Sequence, residues 1–86
     1  MATITYSDGS ARVSVIEVRE DLHSERPGFF RAFWAEVLPD GSLGNGSPVI
    51  GYCSPGGSHR TIRACAAEAL RRYPGERVYR NGRRIA

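Results

Sequence analysis

Eighty-six residues, 41% of them hydrophobic, are enough for one modest core and too few for a second domain. No apolar run approaches the roughly 20 residues that cross a bilayer, and the first residues, MATITYSDGS, offer neither a basic leader nor a long apolar stretch; the expectation is a soluble, cytoplasmic protein with no membrane partner. The formal net charge of +3 conceals an asymmetry: residues 1–59 carry four arginines and seven acids, residues 60–86 eight arginines and two acids.

In chain order, TITYS before Asp8-Gly9 and ARVSVIEV after it predict a β-hairpin on a two-residue Asp-Gly turn, because both flanks are rich in Val, Ile and Thr. Val13 and Val15 point to one side and Ile16 and Val18 to the other, which predicts a bulge between the two halves. EDLHSERPG, residues 20–28, is a polar loop. FFRAFWAEVL, residues 29–38, carries the strongest strand signal: Phe29, Arg31, Phe33, Ala35 and Val37 form one face and Phe30, Ala32, Trp34, Glu36 and Leu38 the other. Both faces are mostly apolar, the pattern of a central strand.

PDGSLGNGSP, residues 39–48, holds three glycines and reads as a turn-rich connection closing an irregular hairpin. VIGYCS, residues 49–54, reads as a further strand, ended by Pro55-Gly56-Gly57. Ser58 is the expected N-cap of a helix in which Ile62, Cys65, Ala66, Ala69, Leu70 and Tyr73 recur every three or four residues, and Pro74-Gly75 stops it. In the tail, Asn81-Gly82 between short flanks predicts a terminal hairpin. The architecture is therefore α+β: an antiparallel sheet of about four strands packed on one helix in the C-terminal half, followed by a short β-hairpin. A single helix covers one sheet face, so Phe30, Trp34 and Leu38, with Ile50 and Tyr52, are left seeking burial on the other: either the sheet curls on itself into a partial barrel, or that face meets a second protein, most economically another copy as a homodimer.

All twelve Lys and Arg positions are arginine, whose planar fork suits phosphate and carboxylate; a coding bias toward arginine would look the same. Arg60, Arg63 and Arg71 form a band beside and opposite the apolar helix stripe, while Arg72 faces Glu68. Arg80 and Arg83 flank the hairpin turn, with Arg77 and Arg84 beyond them. A two-stranded ribbon is narrow enough to enter a major groove, and Tyr79 is placed to stack on a base. At the expected helix start, Gly56, Gly57, Ser58 and His59 offer backbone amides and a helix N-terminus to an anion, without the spacing of a nucleotide-binding loop.

The segment SHRTIRACAAEAL, residues 58–70, resembles the start of the second helix of a double-stranded-RNA-binding domain, which runs Ser-Lys-Lys-x-Ala-Lys-x-x-Ala-Ala-x-x-Ala-Leu or close to it after a three-stranded sheet. The resemblance implies that Ser58, His59, Arg60 and Arg63 stand where that family contacts RNA phosphates, and that Cys65, Ala66, Ala69 and Leu70 pack on the sheet. It covers 13 residues; no helix is expected before the sheet, and His59 and Ile62 depart from the family's pattern.

No pair among His23, His59, Cys53, Cys65 and the acids has a spacing that forces convergence. The cysteines lack the knuckle of a structural zinc site and read as buried free thiols. The chain is thus expected to be non-enzymatic and without metal or other cofactor. Two functional readings follow. One is a nucleic-acid-binding protein, for DNA or RNA, acting through the helix band and the hairpin. The other is a small interaction or inhibitor protein that blocks a larger protein through its sheet and through the acids Glu17, Glu20, Asp21 and Glu25.

Overall fold

The computed structural model describes residues 2–5, 7–22, 27–52 and 56–86. The expected loop at His23 and the first of the two cysteines, Cys53, therefore lie outside the described residues. In chain order the elements are β1 (Ala2–Thr5), β2 (Ala11–Glu20), β3 (Phe30–Glu36), β4 (Ser58–His59), α1 (Ile62–Arg72), β5 (Val78–Arg80) and β6 (Arg83–Arg84). All six strands belong to one sheet, ordered β4-β3-β2-β5-β6, with β1 beside the first part of β2. The α+β class and the mostly antiparallel sheet agree with the sequence reading; the strands are placed differently in four respects.

The first difference is the opening hairpin. β1 pairs antiparallel with β2 from Ala2↔Ser14 to Thr5↔Ala11, so the connection is longer than two residues. The Asp8 carboxylate accepts from the Ser10 amide at 2.9 Å and from its hydroxyl at 2.6 Å, and Gly9 takes a φ of 87° that a side chain would disfavour. These bonds hold the Asp8 carboxyl below its ordinary range, the Ser10 hydroxyl being the largest cause. The same Asp-Gly-Ser turn recurs at residues 40–42, with Asp40 accepting from Ser42.

Second, β2 contains no bulge. Its antiparallel register with β3 is continuous from Ser14↔Glu36 to Glu20↔Phe30. Residues 14–18 are all buried because both faces of β2 are covered, which is why Val15 and Ile16 are apolar in succession.

Third, no described residue of 49–54 lies in a strand. The outer edge of β3 is instead lined irregularly by residues 44–49: Gly44 donates to the Glu36 carbonyl at 2.8 Å, Trp34 to Ser47 at 2.8 Å, and Val49 to Ala32 at 2.9 Å. Pro48 removes a ladder donor, and a Cβ at Gly46 would collide with the Trp34 carbonyl, so this segment follows the edge irregularly.

Fourth, Ser58 is not the helix cap. It pairs with Arg31 in β4, and Thr61 caps α1, its hydroxyl accepting from the Ala64 amide at 3.0 Å. The helix ends where Pro74-Gly75 predicts: the Tyr73 amide donates to Ala69 at 2.9 Å and Gly75 has a φ of 88°.

β5 runs parallel to β2 through Ile16↔Val78 and Glu17↔Tyr79. A parallel neighbour requires a crossover, and α1 supplies it between β4 and β5, spanning β3 and β2 on the way. The helix thereby buries Cys65, Ala66 and Ala69 against Ile16, Val18, Ala32 and Val78. Each large aliphatic side chain in that set contributes about 1.5–3 kcal/mol by leaving water. Phe30 and Trp34 pack against this cluster, and Tyr73 meets Trp34 edge-on with ring centroids 5.0 Å apart. The expectation that Phe30 and Trp34 lie on the uncovered face is therefore overturned; they share the helix side with Ile16, which stands opposite Trp34, and with Val18, which stands opposite Ala32.

Candidate functional site

The face of the sheet away from α1 carries Glu17, Arg19, Arg31 and Phe33, none of which the sequence marks as a unit. Arg31 is 6% exposed and Asp21 4%, and they form a salt bridge at 3.2 Å. Arg31 also donates to the Ile50 carbonyl at 3.1 Å and lies 4.8 Å from the Tyr52 ring centroid. A Cβ at Gly57 would press on this guanidinium, so a side chain there would have to displace Arg31 from its present position. Next to this pair, Arg19 binds Glu17 at 2.5 Å and the Gly44 carbonyl at 2.6 Å, above the ring of Phe33. The signal was a charged residue, Arg31, inside an otherwise apolar strand, with an acid ten positions earlier. Two of the four acids expected to attract a protein partner, Glu17 and Asp21, are thus turned inward; Glu20 is exposed and Glu25 lies outside the described residues.

The four residues expected to form a protein interface do not all share one surface, although Trp34 and Leu38 line a common cleft. Phe30 and Trp34 lie under or beside α1. Leu38 lines an open cleft of ≈ 670 Å³ with Ile4, Arg12, Trp34 and Glu36, where Arg12 and Glu36 pair at 3.3 Å. Tyr52 stands on the opposite face beside Phe33, with centroids 6.4 Å apart.

The expected anion site is also rearranged. Because Ser58 and His59 are paired in β4, their side chains are part of the sheet, and Ser58 Oγ and His59 Nε2 are buried without a hydrogen-bond partner among the described residues. Gly57 is buried against Arg31, while Gly56 is exposed. None of the four stands at the first turn of α1, which starts after Thr61. His59 and Cys65 line a small internal void with Glu68. Burial pushes the Cys65 thiol up to about 11, so at neutral pH it is neither nucleophile nor ready metal ligand. Among the described residues no group of three His, Cys, Asp or Glu side chains is arranged to hold a metal ion.

The arginines of the last third divide into distinct groups. Arg71 and Arg72 both bind Glu68, the latter at 3.3 Å, and these bonds hold the Glu68 carboxyl below its ordinary range. Arg84 faces the same ribbon side as Tyr79 and donates to the Ala86 carbonyl at 3.2 Å. Arg77 is exposed just before β5. Arg80 and Arg83 are cross-strand partners on the ribbon side that carries Val78. Arg80 reaches over the ring of Phe30, 5.6 Å from its centroid, and donates to the Val18 carbonyl at 3.4 Å. Arg63 stands on the exposed flank of α1 and lines a groove of ≈ 580 Å³ with Ile62, Leu70, Ile85 and Ala86. Helix and hairpin, separate in sequence, thus form the two walls of one groove. Arg63, Arg80 and Arg83 make no ion pair among the described residues.

Arg60 extends the β4–β3 register by one step, opposite Phe29, and its guanidinium lies 5.4 Å from the Phe29 ring centroid. Together they line an open hollow of ≈ 430 Å³ with Pro27 and Gly28. Sequence reasoning placed Phe29 in the strand and missed this contact, because the partner strand β4 was read as the start of a helix.

No helix among the described residues is long and apolar enough to cross a membrane. No family model matches the chain, and neither a curated protein nor a solved structure does.

Proposed function

We propose that this chain is a small non-enzymatic nucleic-acid-binding protein that holds phosphates with Arg60, Arg63, Arg80 and Arg83. The observation that carries the reading is the common groove of helix and hairpin: Arg63 enters it from α1, and Ile85 enters it from the strand end that follows Arg83. Two of these guanidiniums, on Arg60 and Arg80, are steadied by aromatic rings, which lowers the conformational entropy lost on contact. Arg80 spends one of its five donors on Val18 and keeps the others for a phosphate. Arg71 and Arg84, engaged elsewhere, contribute long-range attraction, and Arg77 joins only where a longer ligand reaches it.

Phosphate contact of this kind releases counterions. Four neutralised phosphates give a slope of about −3 to −4 in a plot of log affinity against log salt. The test is fluorescence anisotropy with labelled nucleic acid across a salt series, on the native chain and on a variant with Arg60, Arg63, Arg80 and Arg83 all changed to Gln. Binding that weakens steeply with salt and vanishes in the variant is the expected result. A flat salt response, or undiminished binding by the variant, overturns the reading.

A further inference from the structure

We infer that the groove between α1 and the terminal hairpin is also the docking site of an acidic, amphipathic segment of a partner protein, which excludes nucleic acid from the groove while it is bound. The docking stands on the groove alone; the exclusion rests on the nucleic-acid reading above. Its first support is the lining. Ile62, Ala66, Ala67 and Leu70 of α1 and Ile85 of the hairpin make the ≈ 580 Å³ groove largely aliphatic, with Arg63 at its side. Ile85 is 43% exposed, and its amide donates to the carbonyl of the buried Val78 at 2.8 Å, which fixes this apolar side chain on the hairpin wall. A phosphate backbone is satisfied by cations and gains nothing from an aliphatic floor. The apolar side chains of a peptide bury such a floor and are stabilised by leaving water.

Its second support is charge. Arg63 belongs to the helix wall, and Arg83, two residues before Ile85, stands on the same side of its strand. Neither makes an ion pair among the described residues. No acid among them lines the groove, the first turn of α1 has none, and Glu68, the one acid of the helix, is held by Arg71 and Arg72. The matching negative charge therefore comes from the occupant, and a guanidinium pairs with a carboxylate as well as with a phosphate. The third support is shape. Ala66 and Ala67 leave the floor shallow between Ile62 and Leu70, which stand about 12 Å apart along the helix axis. That length accepts roughly two turns of a helix, its apolar face on the floor and its acids at the two arginines.

The experiment uses a labelled synthetic helix with leucines along one face and glutamates elsewhere, and a scrambled peptide of the same composition with its leucines dispersed. Both are titrated against the whole chain, Ala67→Glu and Ile85→Ser, two exposed positions, with circular dichroism confirming that each is folded. The amphipathic peptide is expected to bind the native chain, to lose about tenfold in affinity for either variant, and to bind about tenfold more tightly than the scramble. At saturation it is expected to displace a labelled oligonucleotide. Equal binding of the scramble, or undiminished binding by Ala67→Glu, overturns the docking. So does an Ile85→Ser variant that loses the oligonucleotide and keeps the peptide, because the floor then belongs to nucleic acid. A native chain that is dimeric in light scattering and monomeric as Ala67→Glu has a second copy in the groove, which overturns the docking too. Peptide and oligonucleotide bound together overturn the exclusion alone. An oligonucleotide that fails to bind without peptide overturns the nucleic-acid reading and with it the exclusion, while the docking is decided by the peptide.

Discussion

Arg31 and Asp21 show how far a residue's role departs from its charge count. Both are nearly excluded from water, and the guanidinium also has a backbone carbonyl and a tyrosine ring for neighbours. Removing one partner of such a pair leaves the other charge desolvated and unmatched, which costs far more than a surface ion pair contributes. Asp21→Asn is therefore expected to destabilise the fold by about 3–5 kcal/mol in chemical denaturation. A loss under about 1 kcal/mol would show that water reaches the guanidinium and that the pair is an ordinary surface contact. Asp8 and Asp40, by contrast, are exposed. Their folded carboxyls are depressed below 3.8 by hydrogen bonds from Ser10 and Ser42, so the stability they add is present above that pH and is lost as pH falls further.

At the scale of elements, two capping residues competed for the start of α1. Ser58 and Thr61 are both good N-caps by type, and the edge of β3 decided between them by drawing Ser58 and His59 into a strand. Thr61→Ala is expected to cost about 1 kcal/mol in thermal or chemical unfolding, the usual worth of a cap, and to lower helicity at the first turn. Ser58→Ala is expected to cost nothing or to stabilise, because its hydroxyl is buried without a partner among the described residues. The reverse order of effects would return the cap to Ser58. The terminal ribbon illustrates the converse case: Asn81, with a φ of 52°, and Gly82, with a φ of 77°, supply the paired left-handed conformations of a tight turn, and the hairpin forms where the dipeptide stands.

For the whole molecule, Ile16 is the point where the layers meet. It is fully buried, faces Trp34 across β2–β3 and Val78 across β2–β5, and lies in the cluster beneath Cys65, Ala66 and Ala69. One core shared by every layer predicts one transition. Ile16→Ala is expected to lose about 2–5 kcal/mol, with the loss of helix by circular dichroism and the fluorescence change of Trp34 coinciding. Non-coincident curves would mean that the helix detaches from the sheet separately. The distribution of charge also belongs to this scale. Four of the acids and arginines of the first half, Glu17, Arg19, Asp21 and Arg31, neutralise one another internally, and Arg71 and Arg72 share Glu68, whereas Arg63, Arg80 and Arg83 make no ion pair among the described residues.

Local chemistry was enough to determine the helix stripe from Ile62 to Tyr73, its stop at Pro74-Gly75, the central strand 30–36, the Asn81-Gly82 turn and the α+β class. Each depends on periodicity or on dihedral preferences held within a few neighbouring residues. Only the tertiary structure decided which sheet face α1 covers, that β5 inserts parallel to β2, that Arg31 is buried with Asp21, and that Arg60 rests on Phe29. Those outcomes turn on pairings between segments ten to sixty residues apart. An alternating strand with two apolar faces does not reveal in its own residues which side a helix will choose, since either side would bury similar area.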